Sequence, residues 1–251
     1  MKNNLLTSIA DNAGYVVVFL LLIAAMFVVA KAAEKLVAKK TGDDGSALTT
    51  RKVVIIGLFS AISAILMIFE IPVFFAPSFY RIDLSDLPAV VGAFAFGPMT
   101  GVLIEFIKIL LNLVINGTTT AFVGELANFI VGCSYVLPAS IIYLFKKTRK
   151  MAMISCLTGT LVITIVGSSL NAFYLLPAFA ALYGMPVDSL IAMGTAVNPS
   201  INNMLTFVLF AVAPLNLLKG GIITGVTVAV YKKLSPIIKN ATIVSAKRQE
   251  A

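Results

Sequence analysis

Apolar runs bounded by polar or basic residues follow one another along most of the chain. Runs of this kind, close to the twenty residues that an α-helix needs to cross a bilayer, predict membrane-spanning helices. They cover residues 14–30, 53–69, 99–115, 121–145, 151–176 and 213–231. A shorter run, 87–96, ends at Gly97-Pro98 and predicts a short helix within the bundle. The pattern therefore predicts an all-α fold, a polytopic membrane helix bundle.

Polar segments separate these runs and predict the connections. Residues 31–52 predict a loop, and residues 116–120 a turn, because small and polar residues favour turns. Residues 71–86 predict a second loop, at whose end Asp86 is placed to cap the next helix. Residues 177–212 predict a long connection that is helical near residues 203–211.

The composition supports a membrane protein. Hydrophobic residues make up 59% of the chain, the mean hydropathy is +1.01, and only 12% of the residues are charged. A soluble domain has about a quarter of its residues charged. The formal charge of +8 does not indicate a nucleic-acid partner, because the basic residues flank the apolar runs.

The basic residues also predict the orientation. Fifteen of the 19 Lys and Arg residues lie within residues 31–52, 146–150 and 232–248. Cytoplasmic loops are rich in Lys and Arg, so we expect the N-terminus outside and the C-terminus in the cytoplasm of a multi-pass protein of the cell membrane. Cleavage of a signal peptide near Ala30-Lys31-Ala32 is the alternative. Cleavage would turn the basic loops outward, so a retained helix is favoured.

The sequence contains no recognisable catalytic set. It has no histidine and no HExxH, GxSxG or Walker A pattern. Cys133 and Cys156 lie singly in apolar runs, which indicates packing rather than a metal or redox site. We therefore expect no catalytic residue, no metal and no cofactor. Uphill movement of a solute would need an energised partner or a coupling ion.

Polar residues near the predicted outer ends of three spans are the strongest site signal. Lys219 is the sharpest of them, because a cation inside a span is costly unless it is paired or reaches water. Residues three apart share a helical face, and three such pairs occur at similar depth: Glu125 and Asn128, Asn171 and Tyr174, Asn216 and Lys219. They predict an outward-facing pocket for a small molecule of mixed polarity.

Structural interpretations remain open for the same residues. Asn and Tyr often only join membrane helices by hydrogen bonds, and Glu125 is a candidate ion-pair partner for Lys219. Glu105 and Lys108 are three apart and predict a structural pair. Asp83 and Asp86 are expected to be loop and capping residues.

The run at 53–69 also carries small residues at a four-residue spacing, a pattern that allows close helix approach. They fit either docking to another membrane subunit or packing inside the bundle: Gly57, Ser60, Ala61 and Ala64.

Five segments together resemble a known family. They are residues 82–88 (IDLSDLP), 96–98 (FGP), 124–129 (GELANF), 171–177 (NAFYLLP) and 214–220 (PLNLLKG). On them, the chain resembles the substrate-binding S components of energy-coupling factor (ECF) vitamin transporters, most of all the riboflavin-specific type. The resemblance covers about residues 52–238.

The resemblance implies a domain plan and a set of partners. Residues 52–238 would form a six-helix S-component core, and residues 239–251 a cytoplasmic tail. Residues 1–51 depart from the family, since they would add one extra N-terminal transmembrane helix and a cytoplasmic linker. Riboflavin or a related flavin would be the transported ligand. The partners would be a transmembrane coupling subunit and two cytoplasmic ATPase subunits.

Residue roles also follow from the resemblance. Asn171, Asn216 and Lys219 would hydrogen-bond the ribityl hydroxyls or the ring edge. The small residues at 57–64 would form the docking face. Lys219 would also attract a phosphate, so flavin mononucleotide stays open. Aromatic residues suited to stacking on or covering a flavin ring are Phe79, Tyr80, Phe122 and Tyr174.

Three other functions fit the sequence less well. An S component for another vitamin, such as thiamine, is disfavoured because the chain has no Trp to stack on the cationic ring. An ion-coupled secondary carrier would show internal repeats, and none is evident. A membrane-embedded enzyme using Glu125 and Lys219 lacks a nucleophile and a metal set.

Overall fold

The computed structural model describes residues 13–42, 49–118 and 120–249. These described residues form ten α-helices: α1 Ala13–Thr41, α2 Thr50–Ile68, α3 Asp86–Phe96, α4 Pro98–Asn116, α5 Val123–Phe145, α6 Arg149–Leu170, α7 Leu176–Leu182, α8 Val187–Val197, α9 Met204–Phe207 and α10 Ala213–Gln249. Two π-helical turns, Asn171–Leu175 and Val208–Val212, join α6 to α7 and α9 to α10.

An all-α membrane bundle is confirmed by the lengths of these helices. Within the described residues, five stretches are long and apolar enough to cross a membrane: Thr50–Ile68, Pro98–Asn116, Val123–Phe145, Arg149–Leu182 and Met204–Tyr231. Helix α3 has 11 residues and is too short to cross. The count of six core helices plus one extra stays a prediction.

Helix α3 forms the centre of the bundle. It packs against α2, α4, α5 and α10. Ala89 and Ala93 have no exposed surface, because small side chains let the surrounding helices approach. At its end, Gly97 and Pro98 make the tight turn into α4, with Pro98 in the first turn of that helix.

The N-terminal helix α1 is longer than the sequence pattern predicts. It continues through Lys40 to Thr41, so the prediction of a loop from Lys31 onward was wrong. Its apolar side packs against α4 and α5, with Phe27 and Phe106 edge to face at 5.6 Å. Beyond the membrane-length run, Ala33 and Val37 are buried in the apolar core, and this packing accounts for the continued helix. The Gly- and Asp-containing segment 43–46 lies outside the described residues.

The predicted connection at 177–212 is mostly helical. It contains α7, α8 and α9, whereas helix was expected only near residues 203–211. Helix α8 buries Leu190 and Ile191 in a cluster that includes Phe207. Pro, Gly and Asn residues interrupt the apolar pattern in this segment. Because each helix is short, its hydrophobic periodicity cannot be recognised in the sequence.

A small β-hairpin at one end of the bundle was not predicted. Strands β1 (Ile71–Pro72) and β2 (Arg81–Ile82) pair antiparallel, with Ile71 opposite Ile82 and Pro72 opposite Arg81. We call this end of the bundle the hairpin end.

Candidate functional site

A cavity of about 590 Å³ lies at the hairpin end. Its wall comes from α2, the hairpin, α4, α5, the first π turn, α7, α8 and α10. This volume falls within the range of small-molecule sites, about 300–1,000 Å³. Polar side chains from distant parts of the sequence meet in it.

Most of the predicted substrate-binding residues line this cavity. The structure brings seven of the nine together: Phe79, Tyr80, Glu125, Asn128, Asn171, Asn216 and Lys219. Two of the three predicted pairs, Glu125 with Asn128 and Asn216 with Lys219, share a cavity face because each lies on a regular α-helical stretch.

Phe122 and Tyr174 do not line the cavity. The Phe122 ring is buried in an apolar cluster with Leu126, and its backbone is left-handed, with φ of 69°. Tyr174 lies in the π turn with Asn171 and packs beside Leu175 and Ala178. A π turn adds a residue to the helical turn, so side chains three apart no longer share a face.

Two cavity amides are held by hydrogen bonds. Asn171 Nδ2 donates to the Gly167 carbonyl at 2.8 Å, and the Tyr80 hydroxyl donates to Asn171 Oδ1 at 2.7 Å. Burial raises the pKa of Tyr80 well above its ordinary value, which keeps this donor protonated. Asn216 Nδ2 donates to the Val212 carbonyl at 2.9 Å. The amide groups are therefore pre-oriented.

Lys219 is paired with aspartates and not with Glu125. Its Nζ lies 2.9 Å from Asp86 Oδ2 and 3.6 Å from Asp83 Oδ2. The alternative in which Glu125 neutralises Lys219 is thus wrong. Periodicity within single helices does not reveal this partner, because Asp86 lies on α3 and Lys219 on α10.

Glu125 is held instead by the turn that precedes α5. Its Oε2 accepts hydrogen bonds from Thr118 Oγ1 at 3.2 Å and from Thr120 Oγ1 at 3.1 Å. Thr118 Oγ1 also accepts from the Phe122 backbone N–H at 3.0 Å. The left-handed residue is therefore part of the turn that fixes Glu125.

Asp86 does not cap α3, contrary to the sequence prediction. Ser85 is the N-cap residue, and the Asp86 carboxylate binds the ammonium groups of Lys108 and Lys219. The predicted pair of Glu105 and Lys108 is confirmed. Asp83 is a loop residue as expected, and its Oδ1 accepts from the Ser85 N–H at 2.7 Å.

Several cavity residues were missed by the sequence reasoning. Asn112 and Asn116 lie four apart on α4, and Asn116 Nδ2 donates to Asn112 Oδ1 at 2.7 Å. The spacing rule that found the other pairs would have found this one. Arg81 and Thr120, from the hairpin and the turn before α5, also line the cavity.

The small residues of α2 divide between two faces. Ser60 and Ala64 are buried, and Ser60 Oγ donates to the Ile56 carbonyl at 2.7 Å. Gly57 and Ala61 are exposed, and a Cβ added at Gly57 would meet no atom within 4 Å. Only these two therefore remain open to a partner.

A multi-pass helical bundle with a polar cavity at one end defines a membrane protein that binds a small solute. The family model "ECF transporter, substrate-specific component" matches residues 51–231. The chain belongs to this family, which consists of transporter components and not of enzymes. Helix α1 precedes the matched region.

Two riboflavin transporters are similar to this chain along most of their length. The riboflavin transporter FmnP of Bacillus subtilis (strain 168) is 35% identical over 75% of this chain and 94% of its own. The riboflavin transporter RibU of Staphylococcus aureus (strain TCH60) is 33% identical over 75% and 93%. A solved structure, "Structure and mechanism of the S component of a bacterial ECF transporter", has a TM-score of 0.60 and 32% identity, covering 75% of this chain and 98% of that one.

Proposed function

We propose that this protein is the riboflavin-binding S component of an ECF-type vitamin uptake transporter. The observation that carries the proposal is the cavity at the hairpin end, where amide, aromatic and ammonium groups meet. The similarity to riboflavin transporters supports the same ligand. The vitamin is transported and serves no catalytic purpose here.

The chemistry of the cavity suits a flavin. A flavin has a flat ring with a hydrogen-bonding edge and a polyol chain. Asn171 and Asn216 offer amide groups that both donate and accept, and Lys219 offers donors. The Phe79 and Tyr80 rings, with centroids 4.8 Å apart, supply an aromatic surface on the hairpin.

The charge balance favours the neutral vitamin over flavin mononucleotide. Two cations line the cavity among the described residues, and both already have carboxylate neighbours. Arg81 Nη1 lies 3.5 Å from Glu70 Oε2, and Lys219 is paired with Asp86. These carboxylates would repel a phosphate, whereas a neutral carbonyl or hydroxyl oxygen would not be repelled in this way.

The proposed setting is the cell membrane, with the N-terminus outside, the C-terminus in the cytoplasm and the hairpin end outside. Basic residues that flank the spans support this orientation. Since the sequence has no ATP-binding motif, uptake would depend on a transmembrane coupling subunit and two cytoplasmic ATPases. The exposed small residues Gly57 and Ala61 on α2 are the proposed docking contact.

Titration of the purified protein with riboflavin tests the ligand. We expect flavin absorbance to copurify near one per chain, and added riboflavin to lose fluorescence on binding. Flavin mononucleotide and thiamine serve as comparison ligands and should bind more weakly. A preparation that is colourless and does not bind added riboflavin would refute the proposal.

The docking contact is tested with a large side chain at Ala61. Ala61→Trp should abolish riboflavin uptake in cells while leaving flavin binding by the purified protein intact. Ala25→Trp, on the exposed side of α1, is the matched control and should affect neither. Normal uptake by Ala61→Trp would exclude this face as the docking site.

A further inference from the structure

Five ionisable side chains lie buried beside the cavity, and we call them the buried charge cluster. Only Lys219 among them lines the cavity. Taking charges out of water is costly even when they are paired, and ionisable side chains inside a membrane protein usually serve a function. The members of the cluster are Asp83, Asp86, Glu105, Lys108 and Lys219.

Asp86 lies at the centre of this cluster. Its two carboxylate oxygens contact ammonium groups from two different helices: Lys108 of α4 donates to Oδ1 at 2.7 Å, and Lys219 Nζ of α10 lies 2.9 Å from Oδ2. Asp86 has no exposed surface and does not line the cavity. It can therefore affect a ligand only through another side chain.

Close packing fixes the position of the Asp86 carboxylate. Lys108 also donates to Ser85 Oγ at 3.1 Å and pairs with Glu105. Helix α5 approaches at Gly132, where an added Cβ would lie 2.5 Å from Glu105 Oε2 and 3.2 Å from Asp86 Oδ1. Because Gly132 leaves no spare room, Asp86 is held against Lys219.

Lys219 keeps donors for a ligand despite this pairing. The Lys219 ammonium lies 2.9 Å from Asp86 Oδ2, the distance of a charge-assisted hydrogen bond, which occupies one of its N–H donors. The other carboxylate, on Asp83, is 3.6 Å away. An ammonium group has three N–H donors, and those not directed at the aspartates are available on the cavity side.

We propose that Asp86 is a positioning residue for ligand recognition. It holds the Lys219 ammonium charged and in place at the cavity wall, where it donates to a carbonyl, ring-nitrogen or hydroxyl acceptor of the flavin. Without Asp86, the flexible lysine side chain would have to be ordered by the ligand itself, which lowers affinity. This inference rests on the proposed function.

A double-mutant cycle on riboflavin affinity tests the proposal. Asp86→Asn and Lys219→Met should each weaken binding about 10- to 100-fold. Asp86→Asn should add almost nothing in the Lys219→Met background, since residues that act as one unit are not additive. Equal losses in both backgrounds, or unchanged affinity in Asp86→Asn, would overturn the positioning role.

Two further measurements separate positioning from folding. The absorbance spectrum of flavin bound to Asp86→Asn should match that of flavin bound to Lys219→Met, and Asp86→Glu should recover part of the affinity. A wild-type spectrum in Asp86→Asn would overturn the proposal. If Asp86→Asn does not fold, Asp83→Asn replaces it, with a smaller loss expected that also disappears in Lys219→Met. Failure of the wild type to bind riboflavin would instead count against the proposed function.

Discussion

Two ionisable side chains of the cavity wall, Lys219 and Glu125, are supported in opposite ways. Lys219 is held by Asp86, which lies on another helix and far away in the sequence. Glu125 is held by Thr118 and Thr120, at most seven residues away. The comparison shows that the packing of helices fixes the position of the Lys219 side chain, whereas a local turn fixes the position of Glu125. Changes in packing should therefore affect Lys219 first.

The largest effect is expected from removing the second cation of the buried charge cluster. Lys108→Met would leave Glu105 and part of Asp86 uncompensated, at a cost of about 3–5 kcal/mol in the free energy of unfolding. Thermal unfolding of the purified protein in detergent measures it. Glu70→Gln breaks the exposed pair with Arg81 and should cost less than about 1 kcal/mol. Similar losses of unfolding free energy in the two variants would show that the buried charge cluster is not tightly packed.

Substituting the two side chains themselves tests the comparison directly. Lys219→Met should weaken riboflavin binding by about 1.5–3 kcal/mol, because a charged donor is lost. Glu125→Gln should cost about 1 kcal/mol or less, since its amide oxygen can still accept from the threonine hydroxyls. Calorimetric titration compares the two. A larger loss of riboflavin affinity in Glu125→Gln than in Lys219→Met would contradict this expectation.

A substitution at Gly167, which does not line the cavity, tests whether helix packing also positions Asn216. A Cβ at Gly167 would lie 2.8 Å from Asn216 Nδ2, so Gly167→Ala should displace that amide and cost about 1–1.5 kcal/mol of flavin affinity. A Cβ at Gly221 would meet nothing within 4 Å, and Gly221→Ala should therefore bind normally. Equal affinities in both variants would mean that the cavity tolerates movement of Asn216.

The smallest effect is expected at the hairpin. Tyr80→Phe removes the 2.7 Å hydrogen bond to Asn171 Oδ1 and should weaken flavin binding by about 0.5–1 kcal/mol. Tyr183→Phe is the matched control, since Tyr183 also lines the cavity but is 48% exposed. Unaltered binding in Tyr80→Phe would show that Asn171 is oriented by the Gly167 carbonyl alone.

Local periodicity accounts for the parts of the structure that were predicted well. Apolar runs gave the long helices, because a span needs about twenty apolar residues. The three-residue spacing correctly predicted that Asn216 and Lys219 share a cavity face and that Glu105 pairs with Lys108. The same rule failed at Tyr174, where the π turn changes the helical repeat, and it missed the short helix α8, which packing stabilises.

The sequence by itself determined that the chain is a membrane bundle and that Lys219 lies inside a span. Both follow from composition and from a helical repeat that operates within a few residues. The tertiary structure decided which group compensates Lys219. It brought Asp86 of α3 to α10 and left Glu125 to its own turn. Side-chain partners on different helices depend on how those helices pack, and one helix's periodicity carries no information about that packing.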